Sequence, residues 1–361
     1  MDDMDNNSYE RLAHKLNNLP SGYPPTEDGA ELRILEKLFT PEEADLAADL
    51  TLTKETPAVL AERLDRDPQE VRLMLKGMAK RGLIVAGRTD DGMGYSLMPF
   101  VVGIYEYQAG TIDEELAKLF EAYYQQSFGD MLSVKPSFHR VLPVQESVPI
   151  DIDVRPYENA SEIVEQSQAW GVIDCICRTQ KELIGDPCEH PKDVCMVLSE
   201  VPGSFDNSKA IKMLDKDGAH ATLKKAADAG LVHSVSNSQE GHWYICNCCT
   251  CSCGILRGIA DLGIANVVAR SPFVTVFDRE LCFSCDLCAD TCQFEALTYE
   301  IVPSIDENRC VGCGLCVIAC PEGAFTMTRR SDEKIEPIPV THTDWRMARA
   351  AVRDLDFDDV R

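Results

Sequence analysis

Between residues 31 and 83 apolar side chains recur every three or four positions, the period of helices that bury one face. Leu32, Leu35, Leu38 and Phe39 mark a helix over 31–38. Thr40-Pro41-Glu42-Glu43 opens a second, with threonine as cap, proline at the first helical position and acid in the first turn. Thr56-Pro57 opens a third, leading into 59–64. After the turn Asp65-Arg66-Asp67, Pro68 begins a fourth, with Val71, Leu75, Met78 and Leu83 inward and Gly82 at its end. Residues 83–87 and 94–98 then read as strands around Asp90-Asp91-Gly92, a hairpin pattern. This order predicts a winged helix-turn-helix after an N-terminal extension at 1–29. A further helix at 111–129, with Ile112, Leu116, Leu119, Phe120 and Tyr123 on one side, extends this domain to residue 130 and suits packing or dimerisation.

Residues 135–149 contain three prolines and read as an extended linker. Beyond it, short apolar runs alternate with helical patterns. Val172-Ile173, Met196-Val197-Leu198 and Leu231-Val232-His233 read as strands, and 206–214 and 218–229 as helices, the second stopped by Gly230. The alternation predicts a cysteine-rich α/β domain over 135–270. A tail at 331–361 holds a helix over 344–355, with Trp345 near its start, and an acidic stretch at 354–359. The whole is an α+β multidomain chain.

A length of 361 residues suits two or three domains. No apolar run approaches the ~18 residues of a membrane span. The acidic, polar start MDDMDNNSYE resembles neither a secretory nor a transit signal, so the expected compartment is the cytoplasm. The net charge of −25 weighs against nucleic acid as the main partner. It also weighs on the winged helix. Gln69, Arg72, Lys76 and Lys80 would face a groove, but residues 30–100 hold ten Lys/Arg against thirteen Asp/Glu, and the wing carries Asp90 and Asp91. Docking or homodimerisation is the expected role, with DNA disfavoured.

Seventeen cysteines change the picture most. Disulfides fit a reducing compartment poorly, so the expected use is metal ligation. Near the C-terminus they read Cys282-x2-Cys285-x2-Cys288-x3-Cys292, then Cys310-x2-Cys313-x2-Cys316-x3-Cys320-Pro321. That doubled spacing is a signature of two iron–sulfur clusters. A zinc module would need only four ligands, at two CxxC pairs.

Residues 275–328 resemble a bacterial-type dicluster ferredoxin domain, which sets a domain at 271–330. The resemblance implies two [4Fe–4S] clusters. One would be held by Cys282, Cys285, Cys288 and Cys320, the other by Cys310, Cys313, Cys316 and Cys292, since the fourth cysteine of each run serves the other cluster. Gln293 departs from the pattern, which usually has proline there, and its expected effect is a changed environment for that cluster.

Nine further cysteines lie upstream: Cys175, Cys177, Cys188, Cys195, Cys246, Cys248, Cys249, Cys251 and Cys253. They could supply one or two more iron–sulfur clusters, or a four-thiolate zinc site. The run CNCCTCSC at 246–253 cannot bring all five thiols to one metal, because Cys248 and Cys249 are adjacent and point apart. Division between sites, or some free thiols, is therefore expected. Arg178 follows a candidate ligand and would stabilise a reduced cluster, or else form an ordinary ion pair. His190, His233 and His242 are further possible ligands. Residues 135–330 also resemble a group of uncharacterised iron–sulfur proteins from anaerobic prokaryotes. The matching words are Arg140-Val141-Leu142-Pro143-Val144, Val154-Arg155-Pro156-Tyr157-Glu158, CICR at 175–178, Cys188, Cys195, Gly230-Leu231-Val232-His233 and CNCC at 246–249. That resemblance implies electron transfer to an unnamed partner.

No GxGxxG lies between a strand and a helix, and no GxxxxGK[ST], CxxCH or CxxxCxxC is present. The chain thus shows carriers for single electrons but no visible site for hydride chemistry. The expected function is electron relay within or to an oxidoreductase complex of anaerobic metabolism, with a flavin- or metal-containing subunit and a soluble ferredoxin as partners. Two alternatives stand: a redox-sensing winged-helix regulator, and a reductase with substrate at the central cluster.

Overall fold

Capping chemistry sets the first helices. A computed structural model describes residues 7–264, 267–299 and 301–356, which fall into two units, Met1–Val134 with Arg346–Arg361 and Lys135–Trp345. In the first unit α1 (Ser8–Asn17) and α2 (Ala30–Leu38) precede α3 (Pro41–Ala48), whose Thr40 and Glu43 form a reciprocal capping box. Thr56 caps α4 (Pro57–Leu64), and Asp67 accepts from the Gln69 and Glu70 amides to cap α5 (Pro68–Lys80). The hairpin is offset from its expected bounds. Strands β1 (Val85–Thr89) and β2 (Gly92–Ser96) pair antiparallel with Thr89 opposite Gly92, so Asp90 and Asp91 alone make the turn.

The expected helix at 111–129 is two shorter ones. α6 (Glu114–Tyr123) passes through a wider π-helical turn at Tyr124–Phe128 into α7 (Gly129–Ser133). Tyr105 stacks on Phe120 with centroids 3.8 Å apart, and Phe100 meets Tyr123 edge-on at 5.9 Å. Arg349 is fully buried in this unit, donating to the carbonyls of Pro20, Val134 and Met131 at 3.0, 2.6 and 3.1 Å. The expected tail helix is thus present, over His342–Val352. Residues 357–359 of the expected acidic stretch lie outside the described residues.

In the second unit, residues 135–149 are not simply a linker. β3 (His139–Leu142) lies within them, fully buried and paired antiparallel with β7 (Val232–Ser236). The prolines at 136, 143 and 149 flank this segment without entering it, so no ladder donor is lost. The sheet has the order β3-β7-β8-β5-β4-β6, from β4 (Ala169–Ile173), β5 (Cys195–Ser199), β6 (Lys212–Leu214), β7 (Val232–Ser236) and β8 (Tyr244–Cys248). Every pairing among them is antiparallel, which corrects the α/β expectation to an antiparallel sheet with helices. The helix expected at 206–214 is also absent. Asp206 and Ser208 turn the chain, with the Ser208 hydroxyl accepting from the Ile211 amide at 3.2 Å, and β6 follows. Such polar side chains offer the backbone an alternative to a helix.

Helices α8 (Ala160–Gln166) and α10 (Lys216–Asp228) share a core with Leu142, Val172, Met196, Leu198, Val235 and Ile245 of the sheet. Side chains alternate along a strand, so Cys195, Cys246 and Cys248 project from the opposite face. That alternation places the site.

The remaining elements are α9 (Ile176–Leu183), α11 (Arg257–Ala260), β9 (Phe273–Phe277), β10 (Leu297–Tyr299), β11 (Pro303–Ile305), α12 (Leu315–Ala319) and β12 (Phe325–Arg329). β9 pairs β12 and β10 pairs β11, both antiparallel. This C-terminal segment is stitched to the sheet. Arg329 makes a two-pronged ion pair with buried Glu158, 2.9 Å on each prong. Arg140 and Ala269 form a parallel bridge. The Val144 amide donates to the Cys313 carbonyl at 2.9 Å.

His139 on β3 is buried against Tyr244, and burial lowers its pKa to about 4. The unfolded chain binds this proton near pH 6.5 and the folded chain does not. Stability is therefore full above about pH 6.5 and falls toward pH 4, by about 1.4 kcal/mol per unit. Denaturant unfolding at pH 7 and pH 5 should show wild type losing about 2 kcal/mol more than His139→Gln. Equal losses in the two proteins would contradict this.

Candidate metal centres

The eight C-terminal thiols gather as two quartets, and each run contributes to both. Cys282, Cys285, Cys288 and Cys320 line one cavity with Tyr299, Pro303 and Phe325. Cys310, Cys313, Cys316 and Cys292 line a second with Thr275, Phe294 and Leu315. The fourth cysteine of each run thus joins the first three of the other.

The two runs share a backbone plan 28 residues apart. Ser284, Asp286 and Glu295 have positive φ, and so do Gly312, Gly314 and Gly323 at the corresponding places. The Asp278 amide bonds to the Ala324 carbonyl, and that of Asp306 to the Ala296 carbonyl. Amides also point at sulfur in both halves, Ala296 to Cys292 Sγ at 3.3 Å and Ala324 to Cys320 Sγ at 3.4 Å. Such donors stabilise a thiolate, so this pocket chemistry fits clusters held by cysteine.

The nine upstream cysteines fall into six and three. On the face of the sheet away from α8 and α10, neighbouring thiols interact in a closed sequence: Cys175 with Cys177 and Cys195, Cys195 with Cys246, Cys246 with Cys248, and Cys253 with both Cys248 and Cys177. β4 delivers the chain to Cys175 at the cap of α9. The register that sets Met196 opposite Ile245 brings Cys195 and Cys246 together one step further on. The hydrogen bond from Cys177 holds Cys175 well below the usual thiol range. The bond from Cys246 brings Cys248 down to about 7, while contact with Cys175 pushes Cys177 up and contacts with Cys195 and then Cys248 push Cys246 up. Depressed thiols supply the thiolates that ligate metal.

Cys188, His190, Cys249 and Cys251 form a separate group whose ligand atoms all lie within 4.8 Å of one another. Cys251 Sγ is 3.6 Å from His190 Nδ1. Adjacent Cys248 and Cys249 lie in different groups. His233 and His242 join neither. His233 Nδ1 is 2.5 Å from Asn247 Oδ1, and His242 Nε2 is 3.2 Å from Arg140 Nη2.

Arg178 contacts both groups. Its guanidinium is buried, donating to the Pro191 and Asn247 carbonyls at 2.9 and 2.8 Å and to Cys249 Sγ at 3.6 Å. Burial alone would lower its pKa, but the sulfurs of Cys175, Cys249, Cys248 and Cys195 together raise it, so the cation persists. Its Nε is buried with no partner among the described residues, a spare donor suited to a sulfur-rich anionic centre.

Gln293 has a role that its missing proline did not foretell. Its Oε1 accepts from the Thr250 amide at 2.8 Å and its Nε2 donates to the Gly230 carbonyl. The residue after Cys292 thereby grips the peptide between Cys249 and Cys251. The signal for this contact was the departure itself, an amide where a rigid ring was expected.

A family model described as a 4Fe-4S binding domain matches residues 303–326, which contain Cys310, Cys313, Cys316 and Cys320. No match was found among curated proteins or among solved structures. The chain is therefore similar to 4Fe-4S binding domains over its second run. Among the described residues no helix is long and apolar enough to cross a membrane.

Proposed function

We propose that this chain is a multi-cluster iron–sulfur protein that relays single electrons, as a subunit within or beside an oxidoreductase complex of anaerobic metabolism. The observation that carries this reading is the sorting of eight thiols into two quartets, each drawn from both runs. Cys282, Cys285, Cys288 and Cys320 would hold one [4Fe–4S] cluster, as in bacterial dicluster ferredoxins, and Cys310, Cys313, Cys316 and Cys292 the other. Such groups, when bound, take up and release one electron at a time. The six-thiol ring of Cys175, Cys177, Cys195, Cys246, Cys248 and Cys253 would hold one further cluster, with Arg178 offsetting its negative charge.

The surface supports exchange at the first quartet. Cys285 is exposed, and Phe283, Leu287 and Ile301 are 76, 61 and 81% exposed. An apolar patch beside a redox centre suits brief docking of a partner, here a flavin- or metal-containing subunit or a soluble ferredoxin. Phe283→Ser with Leu287→Ser should slow reduction by ferredoxin severalfold without altering iron content. An unchanged rate would move the exchange point elsewhere.

Cytoplasmic residence accords with reduced thiols. The N-terminal helices and hairpin we read as a winged-helix adaptor that docks protein or pairs with a second copy. Asp67 and Glu70 at the start of α5 and Asp90 and Asp91 at the hairpin turn oppose contact with phosphates.

Anaerobic purification with iron and sulfide counting tests the core of the proposal. About twelve irons per chain are expected, four for each of three cubane centres. Eight would remove the central cluster, and fewer than eight would overturn the ferredoxin reading. The sensing alternative requires duplex-DNA affinity that changes with cluster oxidation, and absence of binding at low salt would remove it. The reductase alternative requires an open iron position in the ring.

A further inference from the structure

We infer that Cys188, His190, Cys249 and Cys251 form a closed mononuclear site for a tetrahedral, thiophilic divalent cation of the zinc class, distinct from every cluster in the chain. The spacing of the four ligand atoms suits a single ion. Ligands at about 2.3 Å for sulfur and 2.0 Å for nitrogen from one ion stand roughly 3.5–3.8 Å from each other. The four ligand atoms here lie within 4.8 Å, and Cys251 Sγ is 3.6 Å from His190 Nδ1. In a cubane each thiolate binds a different iron at a different corner, so its sulfurs stand further apart than the edges of a single-ion tetrahedron.

The donor set agrees. Three thiolates and an imidazole are a recurrent structural zinc combination. With a divalent cation they carry one net negative charge, and Arg178 lies 3.6 Å from Cys249 Sγ to balance it. All four positions are filled by protein, which describes a structural site rather than a catalytic one with an open position.

The site also has work to do in the fold. Residues 188–190 lie between α9 and β5, and 249–251 follow β8 in a turn. Neither segment has a helix or strand to hold it. An ion would bind these two stretches together, and the stretches lead directly into Cys195, Cys248 and Cys253 of the ring. The inference goes beyond the electron-relay proposal and is read by a different metal.

The test uses the full chain, purified anaerobically and analysed for zinc and iron together. One zinc per chain is expected beside the irons. Cys251 is exposed, so Cys251→Ser has little packing to disturb. It should lose about one zinc with iron, sulfide and cluster EPR unchanged. His190→Cys should keep the metal as a four-thiolate site. Cobalt(II) added in place of zinc should give the intense visible bands of tetrahedral thiolate coordination in wild type and lose them in Cys251→Ser. Zinc unchanged by Cys251→Ser, or about four irons lost with it, would overturn the inference. An iron count of eight with one zinc would leave it standing while removing the central cluster.

Discussion

Arg178→Met should strip metal from the central block while leaving the C-terminal clusters in place. The substitution preserves length and apolar stem but removes the cation and its three hydrogen bonds, to Pro191, Asn247 and Cys249. The Pro191 and Asn247 carbonyls would lose donors, at about 1–3 kcal/mol for each group left unsatisfied. The thiolates of Cys175, Cys195, Cys248 and Cys249 would lose their compensating charge, and breaking a buried charge pairing costs about 3–5 kcal/mol. Iron should fall from about twelve toward eight per chain, at four per cubane. The melting temperature should drop by at least about 10 °C, given about 2–4 °C per kcal/mol for a unit of this size. Arg178→Lys separates charge from shape. A lysine keeps the cation but cannot reach several acceptors with a planar fork, so iron should be partly retained and the central potential shifted. Full iron and an unshifted potential in Arg178→Met would remove Arg178 from the centre's chemistry.

Gly314→Ala should cost the second quartet its cluster. Gly314 has φ +78°, and a Cβ there would lie 2.0 Å from Ser147 Oγ and 2.6 Å from Ser147 Cβ. Left-handed backbone costs a residue with Cβ about 1–2 kcal/mol, and forcing extra volume into packed structure adds about 1–3 kcal/mol. Ser147 cannot easily retreat, because its hydroxyl donates to the Val144 carbonyl at 2.6 Å. The corresponding Asp286 shows that the conformation alone is tolerable, since it holds φ +59° with its side chain exposed. Iron should fall by about four per chain, the content of one cubane, and adding Ser147→Gly should restore part of it by removing the contact but not the φ strain. Asp286→Gly should be neutral. Iron retained in Gly314→Ala would mean that residues 144–147 are not seated against this loop.

What the sequence reveals here depends on the range over which each feature is set. Caps at Thr40 and Thr56 are local bargains between one side chain and the next turn, and both stand where the residues place them. The two cysteine runs are local as well, so their loops could be read from spacing. The division of the nine upstream cysteines was not legible, because it rests on the strand register joining β5 to β8 and on loops some sixty residues apart, Cys188 and His190 against Cys249 and Cys251. Three prolines around a short buried strand imitated a linker at 135–149. Lys212–Leu214, a three-residue edge strand, left too little alternation to outweigh a helical reading. Antiparallel pairing in the central sheet likewise leaves no mark on the alternation of strand and helix patterns.

Gln293 carries a consequence for how the protein matures. By holding the Thr250 peptide and the Gly230 carbonyl, it makes the position of Cys292 and the positions of Cys249 and Cys251 a single conformational question. Were metals bound as proposed, whichever arrived first would order the segment that the other needs, and by thermodynamic reciprocity each would favour the other to the same degree. Metal insertion should therefore be cooperative across two centres of different chemistry. A cell starved of one metal would accumulate chains slow to accept the other, and the order of assembly, rather than the finished clusters, would report the loss of this one amide.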